Sequence, residues 1–384
     1  MTDTFEDRLQ RDLRSRADLL LDAPLTLHDV KGAARTIRRR RRGAAAGAVA
    51  VLLVAVGVPL GVLAASGGDD RVVEPAPAVS VPDPGYLEGG TVRLLDGTEV
   101  PLAGVRAVRG WAAVGEGYVA GATRQGTEVV SLHDADGSLR TTWPVSPGAS
   151  FVVDGDGRHA AWLLPGGEVV LLDGATGETT RLGRVTGGTE LQPRGIVGEC
   201  PEDCGVVVTE NGEAGFGPTY LVPTEGPVEP YLPQIPLVTA VAPDDALVAG
   251  VDRPAPDDLH LCTAVWEPGA AGPLWEDCVE NVHVFSPGGT RVATTFAEGA
   301  GARELRLRDA RSGAVLHEIP IADALDGFVW EDEEHVLVAV LDDGKWSVVR
   351  IGTDGSETRV AGPAAPLPGD IAEVSSPYVL PTAP

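Results

Sequence analysis

The chain has 384 residues and carries 30 Lys/Arg against 56 Asp/Glu, a formal net charge of −26. The charge is unevenly split: residues 1–42 hold eleven basic and seven acidic residues, net +4, and the remainder holds nineteen and forty-nine, net −30. A portion so acidic repels phosphate backbones and anionic headgroups, which excludes nucleic acid as its partner, and the length is ample for a buried core.

The first predicted element lies in "TFEDRLQRDLRSRADLLL" (4–21), where Phe5, Leu9, Leu13, Ala17 and Leu20 recur at steps of three or four, the spacing of an amphipathic helix. Thr4 with Asp7 gives a capping-box start and Pro24 ends the segment. "TLHD" (26–29) repeats the start signal for a second helix through Val30, Ala34 and Ile37. Forty-two residues bury no core of their own, so the apolar stripe calls for a partner.

Residues 43–65, "GAAAGAVAVLLVAVGVPLGVLAA", contain no charge. At about 1.5 Å per residue they span roughly 34 Å, enough for a hydrocarbon core of about 30 Å. The preceding Arg38, Arg39, Arg40, Arg41 and Arg42 are then flanking charge, which by the positive-inside rule puts residues 1–42 in the cytoplasm and residues 66–384 outside. A cleaved signal peptide is the rival reading, through the small residues of "VLAAS" (62–66), but its apolar core usually runs to about 7–15 residues. The expectation is a single-pass membrane protein.

Residues 66–85 form a Pro-rich linker, and beyond it segments of helical period nearly vanish. Short β-branched runs separated by Gly, Asp and Pro replace them. "VVSLHDADGSLRTTW" (129–143), "VVLLDGATGETTRL" (169–182), "LRLRDARSGAVLHEI" (305–319) and "WSVVRIGTDGSETRV" (346–360) share one plan of strand, Asp/Gly turn and strand. With "GTVRLLDGTEVPLAG" (90–104) and degenerate copies near 225 and 269, the turns centre near 97, 136, 175, 225, 269, 311 and 355. A second hairpin signature precedes most copies, at 151–164, 240–251, 284–296 and 328–341. Two hairpins per period of about 40 residues make the four strands of a propeller blade.

The predicted fold is therefore all-β, a seven-bladed β-propeller over residues 86–384, with six or eight blades also compatible because two copies are degenerate. The copy at 90–104 lacks its leading hairpin, and "DIAEVSSPYVL" (370–380) is expected to supply those strands and close the ring. "FSPGGTRVA" (285–293) resembles WD40-like and TolB-type repeats, and "DGATGE" and "DARSG" are similar to YncE-like and quinoprotein-like blades. The Ala/Gly/Arg/Asp bias resembles proteins of high-GC actinobacteria. The resemblance implies architecture and leaves activity open, because propellers host many functions.

All four cysteines lie beyond the apolar segment. Cys262 and Cys278 flank the "EPGAAGP" turn symmetrically and should face each other across a hairpin, while Cys200 and Cys204 clip a tight loop. Two disulfides, 200–204 and 262–278, fit an oxidising exterior better than a four-cysteine zinc site, which needs a second closely spaced pair.

No nucleophile elbow, zinc-protease, P-loop or dinucleotide motif is present, so no catalytic, cofactor-binding or metal residue is assigned. The seven histidines are scattered, and His133 beside Asp134 reads as a strand-end hydrogen bond. "DADGS" (134–138) and "DGDGR" (154–158) resemble the start of a calcium loop without its glutamate at position twelve, and Asp and Gly there satisfy turn geometry unaided. "DGATGETTRL" departs from the tryptophan docking motif a quinone would need. The seven tryptophans read as core or blade-packing residues.

The expected function is a non-catalytic, membrane-anchored binding, sensing or scaffold protein that presents the propeller to a protein, peptide or glycan, with a further cytoplasmic partner for residues 1–42. Two alternatives stand beside it. One is a propeller hydrolase or lyase with a channel-mouth site. The other is a membrane anti-sigma-like regulator, although the zinc-binding kind needs a His/Cys cluster and only His28 precedes Cys200.

Overall fold

The computed structural model describes residues 85–382 apart from 125, 147, 149, 188–189, 212–216, 255–260, 297–303 and 368–374. The predicted cytoplasmic head, the membrane segment 43–65, its arginines 38–42 and the linker up to residue 84 lie outside the described residues. Among the described residues, no helix is long and apolar enough to cross a membrane.

Seven four-stranded antiparallel sheets succeed one another along the chain. The first contains β1 (Tyr86–Glu88), β2 (Thr91–Arg93) and β3 (Glu99–Pro101); the second contains β4 (Val108–Val114), β5 (Gly117–Arg124), β6 (Thr127–His133) and β7 (Leu139–Pro144). Blade three has β8 (Phe151–Val153), β9 (His159–Leu163), β10 (Glu168–Asp173) and β11 (Thr179–Arg184). Blade four has β12 (Leu191–Glu199), β13 (Asp203–Glu210), β14 (Thr219–Pro223) and β15 (Glu229–Pro230). Blade five has β16 (Leu237–Val241), β17 (Val248–Pro254), β18 (Leu261–Trp266) and β19 (Trp275–Asp277). Blade six has β20 (Glu280–Phe285), β21 (Arg291–Phe296), β22 (Glu304–Asp309) and β23 (Val315–Pro320). Blade seven has β24 (Ala324–Trp330), β25 (His335–Asp342), β26 (Lys345–Gly352) and β27 (Glu357–Ala364), and β28 (Tyr378–Val379) returns to pair with β1.

Blades two to seven lead with their innermost strand, and in blade one β28 takes that place. β8, β12, β16, β20 and β24 contact one another in series, and β28 contacts β4. Second strands are sandwiched between neighbouring blades, which is why β9 ("HAAWL") is buried throughout and reads as an unbroken run. Outer strands face solvent and turn polar, as in β11 ("TTRLGR").

The core is distributed among seven seams, one between each pair of adjacent blades. Trp162 and Phe151 fill the seam of blades two and three, and Trp330 and Ile351 that of six and seven. The seventh seam joins Val329 and Trp346 of blade seven to Tyr378 and Tyr86 of blade one, which closes the ring. Five of the seven tryptophans are buried; Trp143 packs on Trp162 and Trp275 donates Nε1–H to Ala310 O at 2.8 Å.

Closure differs in one respect from expectation. The C-terminal segment contributes one strand to blade one, not a hairpin, because β1 immediately precedes the repeat and supplies the other. All seven Asp/Gly turns fall between third and fourth strands. Five of them are capped by a carboxylate, from Asp96, Asp136, Asp173, Asp309 and Asp354: Asp136 Oδ1 accepts the Ser138 N–H at 2.9 Å, and Gly137 beside it adopts φ +80°.

Candidate ligand-binding face

Two ends of the ring differ in construction. The turn face carries the hairpin turns between first and second and between third and fourth strands. The loop face carries the connections between blades. On the turn face adjacent blades are stitched together: Gly115 N–H bonds Gly157 O at 2.8 Å, Gly198 N–H bonds Asp245 Oδ2 at 2.6 Å, and Ser286 Oγ–H bonds Glu333 Oε2 at 2.9 Å. A Cβ on Gly155 of blade three would lie 2.6 Å from Pro243 of blade five. Contact between blades that are not neighbours narrows this end of the ring.

Five innermost strands carry a β-bulge at the same level. Their registers shift between Val108 and Gly110, Pro193 and Gly195, Val238 and Ala240, Val282 and Val284, and Leu325 and Gly327. The extra residues are Arg109, Arg194, Thr239, His283 and Asp326. A bulge leaves its residue out of the ladder and re-aims the side chain, so an otherwise apolar inner wall acquires a tier of polar groups.

These groups are sparingly partnered. Arg194 donates Nη2–H to Asn211 Oδ1 at 3.3 Å, its Nε is buried without an acceptor, and burial lowers its pKa. The Asp326 carboxyl is raised by burial and meets no cation among the described residues. His283 Nε2 lies 2.6 Å from Thr295 Oγ1, its ring stands edge-on to Phe328 at 5.5 Å, and burial holds the imidazole below its ordinary value and therefore neutral at pH 7. Thr239 Oγ1–H reaches Val282 O at 3.4 Å. Among the described residues, no hydrogen bond or ion pair joins Arg194, His283 and Asp326. They form no nucleophile–base or acid–base pair, and unpaired charges on a channel wall are suited to holding a polar ligand.

Arg109 leads from this tier to the top of blade two. Its guanidinium bonds Glu128, whose Oε2 accepts the Gly148 N–H at 2.6 Å. Beneath the pair lies a cavity of about 180 Å³, lined by Val129, Val130, Val145 and Phe151, with Gly121 on its floor and the Thr382 hydroxyl at its side. A depression of about 520 Å³ adjoins the same end of β5, between Arg106 and Arg124.

The disulfides form as expected, Cys200–Cys204 across the β12–β13 turn and Cys262–Cys278 between β18 and the end of β19. Among the described residues no cysteine is free. His133 behaves as a strand-end group, with Nε2 2.9 Å from Ser131 Oγ and Nδ1 3.2 Å from Gly137 O, and burial lowers its pKa. At "DGDGRH" (154–159), Asp154, Asp156 and His159 draw together, with Asp154 Oδ2 2.6 Å from His159 Nδ1. Their carboxylates are engaged as turn caps, Asp154 Oδ1 taking the N–H groups of Arg158 and His159.

Arg109, Arg194, Thr239 and Asp326 were not singled out from sequence. The signal is faint: one polar residue interrupts each inner strand, as in "QPRGIV", "LVTAV", "NVHVF" and "ALDGFVW".

No family model and no curated protein matches the chain. Solved structures similar in fold include the β-propeller domain of Cps50 (Swd1) from Myceliophteria thermophila, at 11% identity and TM-score 0.45, covering 66% of this chain and 85% of that one. A chain of a mitotic checkpoint complex is similar at 14% identity and TM-score 0.45, over 83% of this chain and 92% of that one. A eukaryotic initiation factor is similar at 12% identity and TM-score 0.37, over 71% and 94%.

Proposed function

We propose that the chain is a non-catalytic, membrane-anchored binding or sensing protein, with its propeller outside the cell and the loop face turned toward a protein, peptide or glycan. A seven-bladed propeller suits a binding or scaffold role. The observation that carries the reading is the tier of bulge residues on the innermost strands, where Arg194 is held partly buried and Asp326 stands exposed, neither with an opposite charge among the described residues. Half-buried charges cost stability when unpaired, and a ligand that supplies the partners recovers that cost.

The uncharged stretch 43–65 behind five arginines supports the anchor, and the two disulfides support an oxidising exterior. A photo-crosslinking residue at Thr239 of the full chain in intact cells should give discrete adducts that R194A/D326N abolishes. Failure to form any adduct at the channel mouth would defeat the binding reading. A reporter fused after Pro384 should be active outside the cell, and activity confined to the cytoplasm would overturn the topology.

A further inference from the structure

Blade two concentrates positive charge on a strongly acidic molecule. Arg106, Arg109 and Arg124 stand together at the loop-face end of β4 and β5, all exposed, while residues 43–384 carry a net charge of −30. Arg109 is neutralised by Glu128. Arg106 and Arg124 have no carboxylate within ion-pair distance among the described residues, and both line one depression.

Unpaired arginines are ordinary on a basic protein. Here acidic residues outnumber basic ones by more than two to one beyond residue 42, and many surface arginines are already matched: Arg93 with Glu88, Arg158 with Asp156, Arg181 with Glu168, Arg253 with Glu276. The unmatched pair flanks one side of β5, and the apolar cavity opens on the other. Thr123 of the depression and Glu128 of the cavity mouth are cross-strand partners, so the two sites share one rim.

The cavity is well formed for an aliphatic or aromatic side chain. Its walls are Val129, Val130, Val145 and Phe151, and Gly110 and Gly121 leave room where side chains would stand. A Cβ on Gly121 would make ordinary contact with Phe151 at 3.5 Å, so the space belongs to the cavity and not to a required backbone approach.

We infer that the loop-face rim of blade two is a docking site for an acidic peptide segment of a protein partner, with one apolar side chain seated in the cavity and flanking carboxylates on Arg106 and Arg124. The inference rests on the binding role proposed above and names the chemistry of the partner. A carboxylate suits the guanidinium fork, and a short extended segment can present an apolar residue to one side while its neighbours meet the rim. Neutral peptides and glycans gain nothing from Arg106 and Arg124.

The test uses the full chain in detergent and a labelled eight-residue peptide with one central phenylalanine between pairs of glutamates. Fluorescence anisotropy should show saturable binding that weakens at least tenfold when salt rises from about 50 to about 500 mM. R106E/R124E should weaken it at least tenfold, and the same peptide with glutamines should bind as weakly to the unaltered chain. G121A should reduce affinity for the phenylalanine peptide more than for one with alanine at the centre. A shared thermal midpoint shows that the variants fold.

Equal binding of glutamate and glutamine peptides, no effect of R106E/R124E, or no saturable binding would each overturn the inference. If the peptide fails while Thr239 still crosslinks in cells, the partner chemistry falls and the binding role stands. If neither occurs, both fall.

Discussion

Glu280 and Arg308 meet in a fork-to-fork pair at the seam of blades five and six, with Nε 2.9 Å from Oε2 and Nη2 2.7 Å from Oε1. Glu280 is 1% exposed and is also bonded by Thr294 Oγ–H at 2.6 Å and by Arg306. Arg308 continues to Asp277 at 3.3 Å and to Gly313 O at 2.7 Å, and it lies 5.7 Å from the Trp275 ring. The network joins the last strand of one blade to the first and third of the next, and with Thr263 Oγ1–H on Glu280 O at 2.6 Å and Trp275 Nε1–H on Ala310 O at 2.8 Å it fixes the orientation of the two sheets.

Removing one member strips the other of its two-pronged partner in a buried site. E280A should therefore destabilise by about 3–5 kcal/mol, and R308M should cost no less. Burial pushes the Glu280 carboxyl up, but the bonds from Arg308 and Thr294 outweigh it and hold the group below the usual carboxylate range. A lowered folded pKa contributes stability that is present above about pH 4.5 and is lost as pH falls through the folded value. Urea midpoints measured from pH 7 to pH 3 should fall less steeply for E280Q than for the unaltered chain. Parallel slopes would show that Glu280 does not couple to acid unfolding.

The two disulfides should contribute unequally. Cys262–Cys278 closes a separation of 16 residues and Cys200–Cys204 one of 4. Loop-closure entropy assigns about 3 kcal/mol to the first and about 2 kcal/mol to the second. C262S/C278S should lower the denaturation midpoint more than C200S/C204S. Cys278 lies two residues from Glu280, so the combination of C262S/C278S with E280Q should be non-additive, whereas C200S/C204S with E280Q should add within experimental error.

How much of this was legible from sequence follows from how local each feature is. Five of the third-to-fourth strand turns announce themselves because a tight turn needs its Asp and Gly within five residues, as at "DADGS", and the two degenerate ones near 225 and 269 follow from the repeat spacing. The first hairpins of blades two and four were missed. "WAAVGEGYVAG" turns on Gly115 without Asp or Pro, and "GECPEDCGVVV" shows its cysteines more plainly than its hairpin. The bulges at Arg194 and Asp326 are defined by the partner strand's register, and no residue type demands one. The Glu280–Arg308 pair spans 28 residues, from the first strand of blade six to its third, beyond the reach of periodicity.

Glycines of identical backbone sign should respond very differently to substitution. Gly97 and Gly137 occupy equivalent turns with φ +89° and +80°. A Cβ at Gly97 meets nothing within 4 Å, whereas one at Gly137 would stand 2.1 Å from Pro101 O of blade one. G97A should cost only the left-handed penalty, about 1 kcal/mol, and G137A at least twice that, because the first seam must also move. Chemical denaturation of the two variants checks the ratio; equal losses would refute the close approach.

The Asp154–His159 contact should make stability pH-dependent near neutrality. The Asp154 hydrogen bond raises the His159 pKa against the opposing effect of burial, while the paired Asp154 carboxyl is lowered even though burial pushes it upward. A raised histidine pKa gives stability that is fully present below about pH 6.5 and fades as pH rises through the folded value. The unaltered chain should lose part of its urea midpoint between pH 6 and pH 8.5, and H159Q should lose less. Identical profiles would mean that the imidazole stays neutral throughout.

Ring closure depends on two residues of strand and one tyrosine. Tyr378 is 3% exposed, stands edge-on to Tyr86 at 5.5 Å, and its neighbour Val379 accepts the Trp111 Nε1–H at 2.9 Å. Y378A removes the largest group this strand contributes to the seventh seam and should cost about 3–5 kcal/mol. Deleting residues 376–384 goes further, since it strips the inner strand from blade one and exposes the β1 edge as a template for another chain. The truncated chain should elute as higher oligomers and melt in a broad transition. A synthetic peptide of residues 375–384 should restore the sharp monomeric melt by refilling the edge. A truncated chain that stays monomeric and melts within a degree of the intact one would show that the ring holds without its clasp.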